Sequence, residues 1–141
     1  TGAYLMTQYL CKACRGVLNV KTSIILSATK LNSSKKGLLY LNPELGNYTV
    51  TTHPTFQIEE GEEYLINCPI CHAHLNSLKY DHLVRIKMID DKGEEFDIYF
   101  SDIVGEKCTF KISGSTVEKI GPDAVKYNKY FDIPEEDKKY L

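Results

Sequence analysis

The sequence has no tryptophan and no aliphatic run longer than Ile24-Ile25-Leu26. A membrane-spanning helix needs about 20 consecutive apolar residues, so none is expected here. Thr1 to Leu10 offers neither a basic start nor a long apolar core. A secretion signal is therefore not expected, and the cytoplasm is the expected compartment. Met6 reads as the natural start, with Thr1–Leu5 left over from cloning. There is no glycine-rich phosphate loop, no HExxH, and no serine or cysteine nucleophile with a histidine base at a telling spacing. No low-complexity tract or internal repeat stands out. Acidic residues are absent from the first forty positions, which hold six basic ones: Lys12, Arg15, Lys21, Lys30, Lys35 and Lys36. The remaining residues carry eleven basic and nineteen acidic side chains, so +6 in the first part and −8 in the second give the net −2.

What is present fits an ordinary globular protein: 43% of the residues are apolar and 26% are charged. At 141 residues one domain is expected, over 6–141. A chain of this length buries roughly 68% of its unfolded surface. A metal is thus not needed to staple it, and any metal site organises one end or serves a function.

The cysteines give the sharpest signal. Cys11-Lys12-Ala13-Cys14 and Cys68-Pro69-Ile70-Cys71 are two CxxC pairs, and Cys108 stands alone. An odd count without a secretion signal argues for metal or redox chemistry and against a disulfide framework. Each CxxC turn can present two thiolates to one ion, and two turns complete the tetrahedron that zinc prefers. The 53 residues between the pairs exceed the ~15–20 of compact four-cysteine sites, so extra hairpins are expected between the knuckles. Two alternatives stay open: a histidine, His72 or His74, in place of one cysteine, or a redox pair. A strand–CxxC–helix pattern of the thioredoxin kind is absent. A filled four-cysteine site has no open position, so its zinc would be structural. Lys12 and Arg15 would offset the negative charge of four thiolates on one Zn²⁺. Cys108, in Glu106-Lys107-Cys108-Thr109-Phe110, reads as a small core residue.

Cys-Lys-Ala-Cys-Arg-Gly (11–16) paired with Cys-Pro-Ile-Cys (68–71) resembles the zinc-ribbon superfamily. In that superfamily two knuckles on β-hairpins clamp one structural zinc. The likeness covers the residues around 9–18 and 65–75. The whole chain also resembles a group of small bacterial zinc-ribbon proteins, a likeness that brings no activity with it. The resemblance implies one Zn²⁺ held by Cys11, Cys14, Cys68 and Cys71. His72 departs from it, because ribbons often carry glycine after the second pair.

Elsewhere the pattern is mainly β. Strands are expected over 22–29, 37–41, 48–53, 55–58 and 63–67, so that 15–67 forms an inserted β segment. Hairpins are expected over 83–120. In the first, Val84, Ile86 and Met88 face Phe96, Ile98 and Phe100, while Arg85 and Lys87 meet Glu95, Asp97 and Tyr99 on a solvated outer face. Gly93 suits the turn between them. A short helix is expected over 122–131, opened by Pro122 and Asp123, with Ala124, Tyr127 and Phe131 packing on the sheet and Pro134 stopping it. The tail Glu135–Leu141 is expected to fray or add a helical turn.

Three functions follow. The leading one is a zinc-stabilised module that binds a protein. The second is nucleic-acid binding, with the six basic residues on phosphates and Tyr9 or Tyr40 stacking on bases, although a pI of about 6.1 is low for it. The third is an enzyme with a scaffold zinc, its groups drawn from Glu59, Glu60, Glu62, Glu63, His53 and His82. Each of these also reads as a solvated turn or a lone surface histidine.

Overall fold

The structure, a computed structural model, describes residues 7–31 and 33–131. Residues 1–6, the Pro134 stop and the Glu135–Leu141 tail lie outside them. The chain forms β1 (Gln8–Leu10), β2 (Asn19–Val20), β3 (Ser23–Lys30), β4 (Lys36–Leu41), β5 (Val50–Thr52), β6 (Tyr64–Asn67), β7 (Leu83–Ile89), β8 (Glu95–Ser101), β9 (Thr109–Ser113) and β10 (Thr116–Ile120). A 3-10 segment, Pro122–Tyr127, then leads into the single turn α1 (Asn128–Phe131). The expected mainly β architecture with a short C-terminal helix is what the chain adopts.

All pairings between the strands are antiparallel, in two sheets. The first runs β1-β7-β8-β9-β10; the second runs β2-β3-β4-β5, with β6 also on β3. Period-two alternation decides which side chains meet between them. Ile24, Leu26 and Ala28 of β3 and Val84, Ile86 and Met88 of β7 are all buried in one core, with Ile98 of β8. Phe96 and Phe100 pack at its edge.

An internal repeat is present in the structure, contrary to the expectation of none. Tyr9–Val20 and Ile66–Ser77 run through the same turns, and β3–β4 matches β7–β8. The strand before each knuckle pairs with the long strand of the other half. Tyr9 sits opposite Met88 and Leu10 opposite Lys87, just as Ile66 sits opposite Ala28 and Asn67 opposite Ser27. The halves are thus interlocked by exchange of their first strands, in an approximate two-fold relation.

Two local expectations need correction. Residues 55–58 form no strand; Phe56 lies in a turn closed by its N–H donating to the His53 carbonyl (2.8 Å) and is buried. Gly37 makes room for it, since a Cβ there would stand 2.2 Å from the ring. The outer face of β7–β8 is not simply a solvated ladder. Arg85 and Lys87 do reach Asp97 (3.2 and 2.6 Å), but Leu83, Tyr99 and Phe110 on the same side form a second core. The 122–131 segment covers it with Ala124 and Tyr127 buried, and Phe131 stacks on Phe110 (4.2 Å). Cys108 is buried there too, and burial pushes its thiol up to about 12. Among the described residues no helix is long and apolar enough to cross a membrane.

Candidate metal centre

Each knuckle is built by the same hydrogen bonds. In the first, the Cys11 N–H donates to the Gly16 carbonyl (3.0 Å) and the Arg15 N–H to the Cys11 carbonyl (3.0 Å). In the second, the Cys68 N–H donates to the Ala73 carbonyl and the His72 N–H to the Cys68 carbonyl, both at 2.9 Å. The turn requires a left-handed residue after the second cysteine, and Arg15 (φ 58°) and His72 (φ 66°) occupy that position. His72 therefore adopts the conformation glycine would supply at lower cost. An asparagine holds each loop from below. The Tyr9 N–H donates to Asn19 Oδ1 and the Ile66 N–H to Asn76 Oδ1, both at 2.7 Å.

These turns aim backbone N–H groups at sulfur. Cys11 Sγ accepts from Ala13 (3.3 Å) and Cys14 (3.4 Å), and Cys68 Sγ accepts from Ile70 (3.3 Å) and Cys71 (3.5 Å). Such donors stabilise thiolate over thiol. Burial raises the Cys11 thiol, but those N–H groups and the neighbouring cysteines outweigh it and bring it down to about 7. At Cys68 burial wins and pushes it up to about 12.

The strand exchange brings the two knuckles together. Cys11, Cys14, Cys68 and Cys71 place their sulfurs within 4.8 Å of one another. Across the knuckles Cys11 Sγ stands 3.7 Å from Cys71 Sγ, and Cys14 Sγ 3.9 Å from Cys68 Sγ. A tetrahedron with Zn–S bonds of about 2.3 Å has edges of about 3.8 Å. A disulfide would need sulfurs at about 2.05 Å. The four cysteines can therefore hold a metal ion such as zinc. Cys11 and Cys68 are buried while Cys14 and Cys71 are exposed.

The histidines next to the second knuckle are not in this cluster: His74 Nδ1 is 3.2 Å from Asn67 Oδ1. His53 bonds its own turn through Thr55. Arg15 donates to Glu95 (2.6 Å), and Lys30 lies 3.8 Å from Glu62, so two of the six early basic residues already have carboxylate partners. Glu62 accepts from the Tyr64 hydroxyl (2.6 Å). Glu63 and His82, read separately in the sequence, meet at 2.9 Å. Asp102 joins them, and nothing in Phe100-Ser101-Asp102 marks it in advance.

A cleft of about 360 Å³ lies between the sheets. Leu39, Leu41 and Ile66 line it from one side, Ile86, Ile98 and Phe100 from the other, with Asn42 and loop residues 44–49 and 102–108 beside them. Its charged lining is Glu44, Asp102, Glu106 and Lys107. Glu59, Glu60, Glu62, Glu63, His53 and His82 do not line it. No family model, curated protein or solved structure matches the chain.

Proposed function

We propose that the chain is a protein-binding module clamped by one structural Zn²⁺ on Cys11, Cys14, Cys68 and Cys71. The cross-knuckle sulfur spacing of 3.7 and 3.9 Å carries this reading. Four cysteines fill the coordination of zinc, so the ion holds the interlocked halves together and offers no position to a substrate. Elemental analysis after purification without added metal should give one zinc per chain, with five free thiols in denaturant and chelator. No metal, with thiols missing in pairs, would instead establish disulfides.

The binding surface is the cleft. Its volume falls within the range of ligand sites and it is lined mainly by apolar side chains. Protein interiors are otherwise close-packed, so an open apolar space of this size forgoes dispersion contacts that an inserted group restores. Glu44 in the lining, to which no described ion pair brings a lysine or arginine, favours a partner segment with an aliphatic or aromatic anchor beside lysine or arginine. Peptides selected from a random library on the zinc-loaded chain should share that pattern and lose binding to Leu45→Trp, which fills the cleft. Selected peptides that lack the pattern, or that bind Leu45→Trp equally well, would refute it.

A further inference from the structure

Glu63, His82 and Asp102 come from three separate parts of the chain. Glu63 directly precedes β6, His82 directly precedes β7, and Asp102 directly follows β8. The backbone fixes their meeting. The Asp102 N–H donates to the His82 carbonyl (2.9 Å), and the Tyr64 N–H donates to the Asp102 carbonyl (3.1 Å). Glu63 also bridges Ile103 in antiparallel pairing, so this seam joins the end of one sheet to the start of a strand in the other.

Three donor atoms, one from each side chain, lie within 4.8 Å of one another. His82 Nδ1 is 2.9 Å from Glu63 Oε2 and 3.8 Å from Asp102 Oδ1. Asp102 is only 6% exposed, and its Oδ1 is buried with no hydrogen-bond partner. Its other oxygen accepts from Asn76 Nδ2 (2.8 Å), which fixes the carboxylate with Oδ1 toward the imidazole. A buried carboxylate oxygen left without a partner is costly. Among the described ion pairs none brings a lysine or arginine to Glu63 or Asp102. Asp81 adds a further negative charge near His82. The fold itself does not ask for such a cluster. By the internal repeat, Thr22 stands where His82 does and Pro43 where Asp102 does, and neither carries a comparable donor.

We propose that Glu63, His82 and Asp102 form a second metal site, for a divalent first-row transition ion, independent of the cysteine cluster. Two carboxylates and one imidazole suit such an ion, and the nitrogen donor favours it over magnesium or calcium. Octahedral ligands at about 2.1 Å stand about 3.0 Å apart along an edge. Glu63 Oε2 and His82 Nδ1 already have that spacing, and Asp102 Oδ1 has to close by a little under 1 Å, roughly, to reach it. On binding, the metal takes the place of the Nδ1 proton that faces both carboxylates; one proton leaves Nδ1, and the neutral ring carries its N–H on Nε2, toward solvent. Asn76 then acts as the partner that orients a ligand carboxylate. The imidazole side of the site is open, since the His82 side chain is 47% exposed. Water or a small anionic ligand completes the coordination there.

Manganese is the probe that separates this site from the first, because soft thiolates select zinc whereas carboxylates suit Mn²⁺. The zinc-loaded chain is titrated with Mn²⁺, following the free ion by electron paramagnetic resonance and the bound ion by broadening of amide resonances. One Mn²⁺ per chain is expected, with broadening centred on Tyr64, Leu83 and Ile103. Asp102→Asn and His82→Asn should each weaken binding by about tenfold or more, while Glu60→Gln leaves it unchanged. Should Asp102→Asn fail to fold, His82→Asn still decides, because that side chain is half exposed and asparagine tolerates its left-handed backbone (φ 65°). No Mn²⁺ binding, binding unaffected in a folded trio variant, or broadening centred on Glu59 and Glu60 would overturn the proposal.

Discussion

His72 and Arg15 show how a single residue type records the demands of a turn. Both hold a left-handed conformation that costs a side-chain-bearing residue about 1–2 kcal/mol. Arg15 gains an ion pair with Glu95, but it is exposed, where such pairs contribute little. His72→Gly should therefore raise stability by about 0.5–1 kcal/mol, the strain relieved less the extra freedom of glycine in the unfolded chain. Thermal melting of the zinc-loaded protein checks this; a lower melting temperature would mean the imidazole holds the knuckle. Asp102 makes a prediction about pH. Burial, then Glu63, raises its carboxyl from 3.8 to about 6. Between about pH 4 and 6 the folded chain thus binds more protons than the unfolded one, and stability falls as pH rises through that window. His82, raised by its bond to Glu63, adds a stabilisation present below about 6.5 and lost above its folded value. Without added divalent ion, the wild-type melting temperature should fall from pH 4 to 7 relative to Asp102→Asn. Parallel profiles for the two proteins would show that Asp102 ionises normally.

At the scale of elements, β7 was legible because Val84, Ile86 and Met88 alternate with Arg85 and Lys87, and β3 and β4 because the apolar stretches Ile24–Leu26 and Leu38–Leu41 flank a polar turn; both signals are local. Residues 55–58 misled because Thr-Phe-Gln-Ile alternates too, yet Phe56 is a plug dropped onto Gly37 from a turn. Gly37→Ala puts a methyl group 2.2 Å from that ring and must displace it. A loss of about 1–3 kcal/mol is expected by denaturant melting, as for overpacking in general. An unchanged midpoint would show that Phe56 moves freely. The charged face of β7–β8 misled for another reason. Tyr99 and Phe110 are covered by the distant 122–131 segment, and neither strand contains the information that a cover arrives.

For the whole molecule, the four-cysteine cluster and the strand exchange are one device. β1 pairs with β7 and β6 with β3, so each knuckle is anchored on the other half's long strand. Removing the ion should release both knuckles together. After chelation, hydrogen exchange is expected to speed up first at the amides of Cys11, Arg15, Cys68 and His72. The β7–β8 amides should keep their protection, because the core around Ile86 and Ile98 persists. Cys11→Ser should give the same pattern without a chelator. Uniform loss of protection in either case would make the metal responsible for the entire fold.

The sequence by itself determined the longer strands, the two CxxC turns and the four sulfurs worth pairing, because side-chain pattern and turn chemistry are local. It also contained the repeat: Cys11-x-x-Cys14-x-x-x-Leu18-Asn19 and Cys68-x-x-Cys71-x-x-x-Leu75-Asn76 share one pattern. The leucine and asparagine complete it, and their signal is weaker than that of the cysteines. Only the tertiary structure decided that the halves exchange strands, that the sulfurs meet at tetrahedral spacing, and that Glu63, His82 and Asp102 converge. Those outcomes depend on which edges pair across 20 to 80 residues of chain, and no short segment encodes the choice of its distant partner.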